Sequence, residues 1–425
     1  MFTPSLLHFF TLRMEFYDQL ETRDPEQREA EQFAVIRAQI ARAQQCAPYF
    51  ARALAGVDAA AVTDRAALAK LPLTRKSDLV DLQKANLPFA GMTAVPQAQL
   101  GRVFMSPGPM FDPEGKRADY WRLARAMFAA GFRAGELVHN TFSYHFTPAG
   151  FMADMGAHAI GCAVFPGGTG QTEMQVAAIA SLRPRCYIGT PSFLRIILEK
   201  GDELAADLSS VRKALVSAEA LPASLRGWLN ERGVITLQCY ASADLGLIAY
   251  ESPAQEGMIA DEGVLLELVR PGTGEPVAAG EVGEVVVTTL TPEYPLIRFA
   301  TGDLSAELAG ASPCGRTNLR IKGWLGRADQ TAKVKGMFVK PSQMADIAMR
   351  HAEIRKYRLV IEHDEKKADR MTLNCEVEGA GSDALAQKIA ATIREVCNLR
   401  GEVAFKPAGA LPNDGKVIDD ARKYD

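Results

Sequence analysis

The sequence predicts an α/β protein: a large N-terminal domain of helix-covered sheets with a β-rich subdomain, then a small, mobile α+β domain. Three observations predict it. From about residue 135 to 240, short apolar runs alternate with helical patterns, as in a parallel sheet covered by helices. Residues 257 to 310 change to apolar runs separated by Gly/Pro clusters, the pattern of antiparallel hairpins. After about residue 327 the order becomes helix, strand, strand, helix, strand, which suits a small domain of its own. The boundary is placed between 1–326 and 327–425.

The elements follow in chain order. The start reads MFTPSLLHFFTLRMEF. Its apolar run, Leu6 to Phe10, is too short to span a bilayer. It also lacks the basic segment and small-residue cleavage site of a secretory signal. It reads as a loose leader, or as an early start with Met14 as the alternative. Residues 24–56 read as one helix: Asp24 can cap it, Pro25 suits its first turn, and apolar residues recur every three or four positions. A second helix is expected over 117–132, ended by Arg133-Ala134-Gly135. Strand ends are expected within 135–142, 161–168, 184–191, 213–221 and 234–242, with helices over 174–183, 192–201 and 222–233 between them. Ligands of such sheets sit beyond the carboxyl ends of the strands. The last domain is expected to hold helices 341–351 and 382–398 and strands 356–363, 370–377 and 402–406.

Composition bounds the rest. At 425 residues the chain exceeds what one core usually supports. Its 48% hydrophobic and 23% charged residues, 35 glycines and 23 prolines exclude fibrous and disordered classes. A net charge of -3 argues against a nucleic-acid or membrane-surface partner, which calls for a basic excess. The seven cysteines are scattered, odd in number and make no CxxC pair. That pattern predicts buried thiols in a reducing, cytoplasmic setting rather than a disulfide framework.

Five segments carry candidate chemistry. They are Ser217-Ala218-Glu219-Ala220-Leu221, Tyr240-Ala241-Ser242-Ala243-Asp244, Tyr294 to Leu304 with its Thr301-Gly302-Asp303 turn, Gly326-Arg327-Ala328-Asp329, and Leu411 to Lys416. Each alone reads more readily as a turn. Their order is informative: an aromatic, a carboxylate, a Thr-Gly-Asp turn, a Gly-Arg-x-Asp element and a late lysine. An aromatic ring offers a stacking face for a base. A carboxylate accepts two ribose hydroxyl protons. Arg and Lys stabilise phosphate charge.

This order resembles the adenylate-forming superfamily and, within it, the phenylacetate-CoA ligase branch. The resemblance runs from about Tyr17 to Tyr424. It includes Ala47-Pro48-Tyr49-Phe50, Leu71 to Leu79, Gly189-Thr190-Pro191-Ser192 and Cys314-Gly315-Arg316-Thr317. It implies an ATP-dependent acid–CoA ligase that makes an acyl-adenylate and then a thioester, using ATP, Mg2+ and coenzyme A, and it implies a homodimer. Ala218, Glu219 and Ala220 would line the adenine site, and Tyr240 with Ala241 would meet the base. Asp244 would hold the metal or the phosphate region. Asp303 would bind the ribose beside Arg327, and Asp329 would be the hinge. Lys416 would be the catalytic cation. Tyr144 and His145 would face the acid, for which Phe142, Phe146 and Phe151 suggest an aromatic or otherwise apolar group. His145 reads equally as a hydrogen-bonded histidine at a strand end. Lys333, Lys335 and Lys340 would meet coenzyme A phosphates or form a solvated face.

The match departs from the family at the phosphate loop. The equivalent stretch runs Met105 to Lys116, with Ser106, Gly108 and Lys116 as the features suited to phosphate. Prolines 107, 109 and 113 remove three backbone donors. Asp112 and Glu114 are expected to add negative charge there. Asp244 replaces a Glu, and Ala300 replaces an Arg. Ser252 stands where a Cys is common, so no zinc cluster is expected. Three readings stay open: a ligase that holds ATP by other donors, a ligand-binding member that does not adenylate, and an adenylating enzyme with a carrier-protein acceptor.

Overall fold

The computed structural model describes residues 15–271, 273–328, 330, 332–364, 367–377, 381–407, 409–411 and 417–422. The chain divides into two compact units. The first holds the residues up to Leu221, Leu225–Thr301 and Ser305–Gly323; the second holds Pro222–Ser224, Gly302–Leu304 and the chain from Trp324.

In the first unit, the alternating runs pair as expected. Strands Ala163–Pro166, Leu137–Asn140, Cys186–Gly189, Lys213–Val216 and Ile235–Ser242 lie side by side and parallel. Ile235–Ser242 then turns back on Gly246–Glu251, and the sheet ends antiparallel through Met258–Ala260 and Arg320–Ile321. Helices Thr172–Leu182, Pro191–Glu203 and Ala223–Glu231 connect the parallel strands. Thr190 caps the second of these, its hydroxyl accepting from Phe193 N, with Pro191 in the first turn. A second sheet orders Thr74–Arg75, Phe299–Ala306, Val282–Thr289 and Val264–Val269. Phe33, Ile36 and Ile40 of the first long helix bury in one core with Leu265, Val287 and Phe299.

The α/β class is as expected, and three helices differ from expectation. The helix read over 24–56 stops at Cys46, and Pro48 opens a separate helix, Pro48–Ala53. Proline lacks the N–H and disfavours helix in the residue before it, which explains the break at Ala47. The helix read over 117–132 is only Leu123–Ala129. Asp119 and Arg122 adopt left-handed backbone, with φ of 44° and 66°. Arg122 is drawn out of a helix by long-range partners, the Asp261 carboxylate at 2.9 Å and the Leu247 carbonyl at 3.1 Å. Helix Ala149–Ala159 had no clear signal, since Gly150 and Gly156 lower its propensity. Gly156 is needed for packing: a Cβ there would stand 2.9 Å from Ala124 N.

Burial pushes the Asp119 carboxyl up to about 7, against the Ala124 N–H that favours the anion. Asp261 raises it further and Arg122 lowers it. A carboxyl that titrates higher folded than unfolded loses stability as pH rises from its ordinary range near 4 through about 7. We expect Asp119→Asn to remove on the order of 2 kcal/mol of that decline, allowing for partial exposure. Urea midpoints at pH 5 and 7.5 measure it; equal slopes for variant and parent would refute the assignment.

All seven cysteines are free thiols; Cys46 is exposed and the other six are buried. In the second unit, strands Glu402–Lys406, Asp369–Val377, Ile354–His363 and Ile418–Asp420 form one sheet. Helices Pro341–Met349 and Asp383–Cys397 belong to the same unit, and Ile347, Ile389 and Ile393 share its core with Leu359 and Leu373. Among the described residues no helix is long and apolar enough to cross a membrane.

Candidate functional site

In the first unit, the candidate residues lie at the carboxyl ends of the parallel strands and on a hairpin beside them. After Lys213–Val216 the chain bends through Ser217 to Ala220. Ser217 Oγ donates to the Cys239 carbonyl at 2.8 Å, tying this bend to the next strand. Ala218 adopts φ of 69°, a strained region for a residue with a side chain. Ala218 and Glu219 are exposed, and Glu219 accepts a hydrogen bond from Ser192. The pairing register shifts between Tyr240 and Ala241, a bulge of the kind that re-aims a side chain. Tyr240 is half-buried, and its hydroxyl meets Thr301 Oγ1 at 3.3 Å, while Thr301 donates to the Val285 carbonyl.

Residues 102–114 form a hairpin, Arg102–Ser106 against Met110–Glu114, turning through the exposed Pro107-Gly108-Pro109. The two prolines of that turn offer no N–H, so the turn does not fit a phosphate cradle of backbone amides. Ser106 and Gly108 sit at the turn. Lys116 does not join them: it lies past the opposite end of the hairpin, exposed, donating to the Ala98 carbonyl at 3.2 Å. We therefore expect Lys116→Ala to leave ATP affinity within about twofold, the scale of an exposed charge. A tenfold loss by titration calorimetry would return Lys116 to the phosphates.

The hairpin acids correct a second expectation. Asp112 and Glu114 do not present charge to solvent, because strand alternation turns both inward. Glu114 is paired with Arg102 and accepts from Trp121 Nε1 at 2.8 Å. Asp112 is pushed up to about 8, first by burial and then by neighbouring Asp244, so it is largely protonated at neutral pH. Asp244 is buried, and its Oδ2 accepts from Lys76 Nζ.

The acyl-pocket candidates split. Tyr144 OH donates to Asp154 Oδ1 at 2.7 Å and accepts from Asn140 Nδ2 at 2.7 Å. Its hydroxyl is committed, and its ring packs edge-on against Phe151, with ring centres 5.3 Å apart. His145 is exposed, as is Phe146. Phe146 lines an apolar cavity of about 260 Å³ with Val103, Phe104, Met105 and Phe111.

In the second unit, Asp303 stands opposite Arg327 in an antiparallel pair. Arg327 Nη1 lies 2.9 Å from Asp303 Oδ1, and Trp324 Nε1 donates to the same oxygen at 3.0 Å. Lys333, Lys335 and Lys340 are exposed. Asp329 and Lys416 lie outside the described residues. Sequence reasoning gave no role to Trp324, Asp154 or Lys76. Lys76 meets its partner 168 residues away, a pairing no local pattern reveals.

For a divalent cation, the donors must be hard oxygens. Among the described residues no group of three or more His, Cys, Asp or Glu could hold one. Of the carboxyls near the hairpin, Asp244 is engaged by Lys76, and Asp112 is hydrogen-bonded by Ser106.

Residues 121–291 match the AMP-binding enzyme family. The chain is 30% identical to a phenylacetate-coenzyme A ligase of Thermus thermophilus, over 92% of both chains. It is 31% identical to the Escherichia coli phenylacetate-coenzyme A ligase, over 77% of this chain and 78% of that one. A crystal structure of 2-hydroxyisobutyryl-CoA ligase, in complex with 2-HIB-AMP and CoA in the thioesterification state, superposes with a TM-score of 0.80. It is 23% identical and covers 95% of this chain and 92% of that one, a likeness of fold. Fold and sequence together define an AMP-binding enzyme. Within that class, the chain belongs to the phenylacetate-coenzyme A ligase family.

Proposed function

We propose that this chain is an ATP-dependent acid–CoA ligase. It activates a carboxylic acid, aromatic by preference, as an acyl-adenylate and passes the acyl group to coenzyme A. The observation that carries the reading is the match to a phenylacetate-coenzyme A ligase over 92% of both chains.

The residue roles follow from chemistry. Ala218, Glu219 and Ala220 edge the adenine, where the left-handed Ala218 leaves backbone open to a ligand. Tyr240 supplies a ring face and Ala241 gives the base room. Asp303 accepts the ribose hydroxyl protons through a carboxylate that Arg327 and Trp324 hold in place. Asp244 would hold the divalent cation, whose charge would offset that of the triphosphate. Lys416 stands between two mutually repelling anions, the acid and the triphosphate. Asp329 is the hinge of the C-terminal domain. Tyr144 offers its ring to the acid. An exposed His145 shapes the pocket entrance.

One observation favours a second reading. A turn built of Pro107-Gly108-Pro109 lacks the amide donors of a phosphate loop, as in a member that binds ligand without adenylating it. Pyrophosphate release from ATP with a panel of aryl acids decides between them. Acid-dependent release, followed by thioester formation with coenzyme A, is the expected result. Release that yields product only with a carrier protein would change the acceptor. Absence of release with every acid would leave the binder.

A further inference from the structure

The strand Leu137–Asn140 ends in two fully buried polar side chains, His139 and Asn140, which strand alternation turns to opposite faces of the sheet. On one face, His139 Nε2 donates to Gln175 Oε1 at 2.7 Å. Gln175 is buried in the first turn of helix Thr172–Leu182. Its amide nitrogen donates to three carbonyls of one loop, those of Gly167 and Gly168 at 3.0 Å and of Gly170 at 3.2 Å. A carboxamide accepts at one end and donates at the other, so the bond from His139 decides which end of Gln175 meets the loop. The imidazole is itself stacked on Phe165, with ring centres 5.1 Å apart. Gly167 admits this arrangement: a Cβ there would stand 2.4 Å from Gln175 Oε1.

On the other face, Asn140 Nδ2 donates to the Tyr144 hydroxyl, to the Gly150 carbonyl at 2.9 Å and to Asp154 Oδ1 at 3.0 Å. The two halves join through the backbone, where Gly168 N donates to the Asn140 carbonyl at 3.0 Å. Gly168 adopts φ of 66°, and a Cβ there would stand 4.0 Å from Tyr144 Cδ2. The glycine loop thus lies beside the tyrosine ring, at the carboxyl end of the parallel strand Ala163–Pro166, where ligands of such sheets bind. Three glycines in four residues leave a loop wide conformational freedom. One buried amide, aimed from the neighbouring strand, removes it.

We infer that Gln175, aimed by His139, is a positioning residue for the acid: it holds the 167–170 loop beside Tyr144 and so fixes one wall of the acid site. The inference rests on the ligase reading, which gives Tyr144 to the acid.

The test is pyrophosphate release at varied acid and varied ATP by Gln175→Glu, a variant of equal volume that still accepts from His139 and no longer donates to the three carbonyls. We expect the KM for the acid to rise at least tenfold, with kcat and the KM for ATP within about threefold of wild type. Gly168→Ala, which adds a methyl group beside Tyr144, should raise the acid KM three- to tenfold and spare ATP. A purely structural role would lower kcat and melting temperature together and leave both KM values alone; that result, or an unchanged acid KM, overturns the inference. Should Gln175→Glu fail to fold, Gly168→Ala and His139→Phe, which keeps the ring stack and loses the N–H, decide by the same criterion. Binding of the same aryl acids, read as a rise in melting temperature, separates this claim from the ligase. Acid binding that weakens in the variants, in a protein that releases no pyrophosphate, keeps the positioning role and rejects the ligase. Release with an acid KM indifferent to the variants keeps the ligase and rejects the role. A wild type that neither releases pyrophosphate nor binds an acid rejects both.

Discussion

Lys416→Ala should lower acid-dependent pyrophosphate release by at least about a hundredfold, the usual scale for removing a group that stabilises transition-state charge. The acid and the triphosphate are both anions, and the bond between them forms only if their repulsion is offset where they meet. Two lysines of the first unit are poor substitutes for that cation. Lys116 lies at the far end of the hairpin, and Lys76 is engaged by Asp244. Circular dichroism should be unchanged, and nucleotide affinity should fall far less than turnover, as for a group that acts chiefly when charge develops. Near-normal release by the variant would remove Lys416 from the chemistry.

Glu21→Ala should cost the fold about 3–5 kcal/mol, the range for stripping one partner from a buried ion pair. Glu21 is 0% exposed and gathers four groups. Arg125 Nη1 lies 3.2 Å from Oε1 and Arg316 Nη2 lies 3.0 Å from Oε2. The Tyr250 hydroxyl donates at 3.0 Å and the Tyr17 amide at 3.1 Å. Removing the carboxylate takes an anionic partner from two buried guanidinium groups at once, with Asp18 and Asp261 still serving Arg125. Glu21→Gln keeps the volume and part of the hydrogen bonding, so it should lose less. Urea unfolding reads both. A loss under 1 kcal/mol in the alanine variant would mean that the remaining acids suffice.

The fold was legible where local pattern and long-range packing agree. The parallel strands each end in a turn signal, and the helices between them carry regular apolar spacing, so both were read in order. The 117–132 segment misled because its apolar spacing is helical, while Arg122 is claimed by Asp261 and by carbonyls more than a hundred residues away. The candidate site was legible as a series of motifs. Asp303 and Arg327 do meet, across a strand pair that spacing alone would not reveal. The hairpin was less legible. Three prolines hid its strands, so Asp112 and Glu114 read as loop charges, although alternation carries both inward. Whether an acid is solvated or buried depends on which face of a strand it occupies, and that is fixed by the partner sheet.

The cysteine distribution gives a practical handle. Cys46 ends the long Pro25–Cys46 helix in the open, while the other thiols are buried. Burial holds the thiols of Cys186, Cys239, Cys375 and Cys397 above their ordinary range, and Cys314, whose hydroxyl neighbours hold it lower, is 1% exposed. A maleimide dye should therefore attach once to the unaltered chain. A single added cysteine on the C-terminal unit would then give a two-colour ruler for following that unit through each half-reaction.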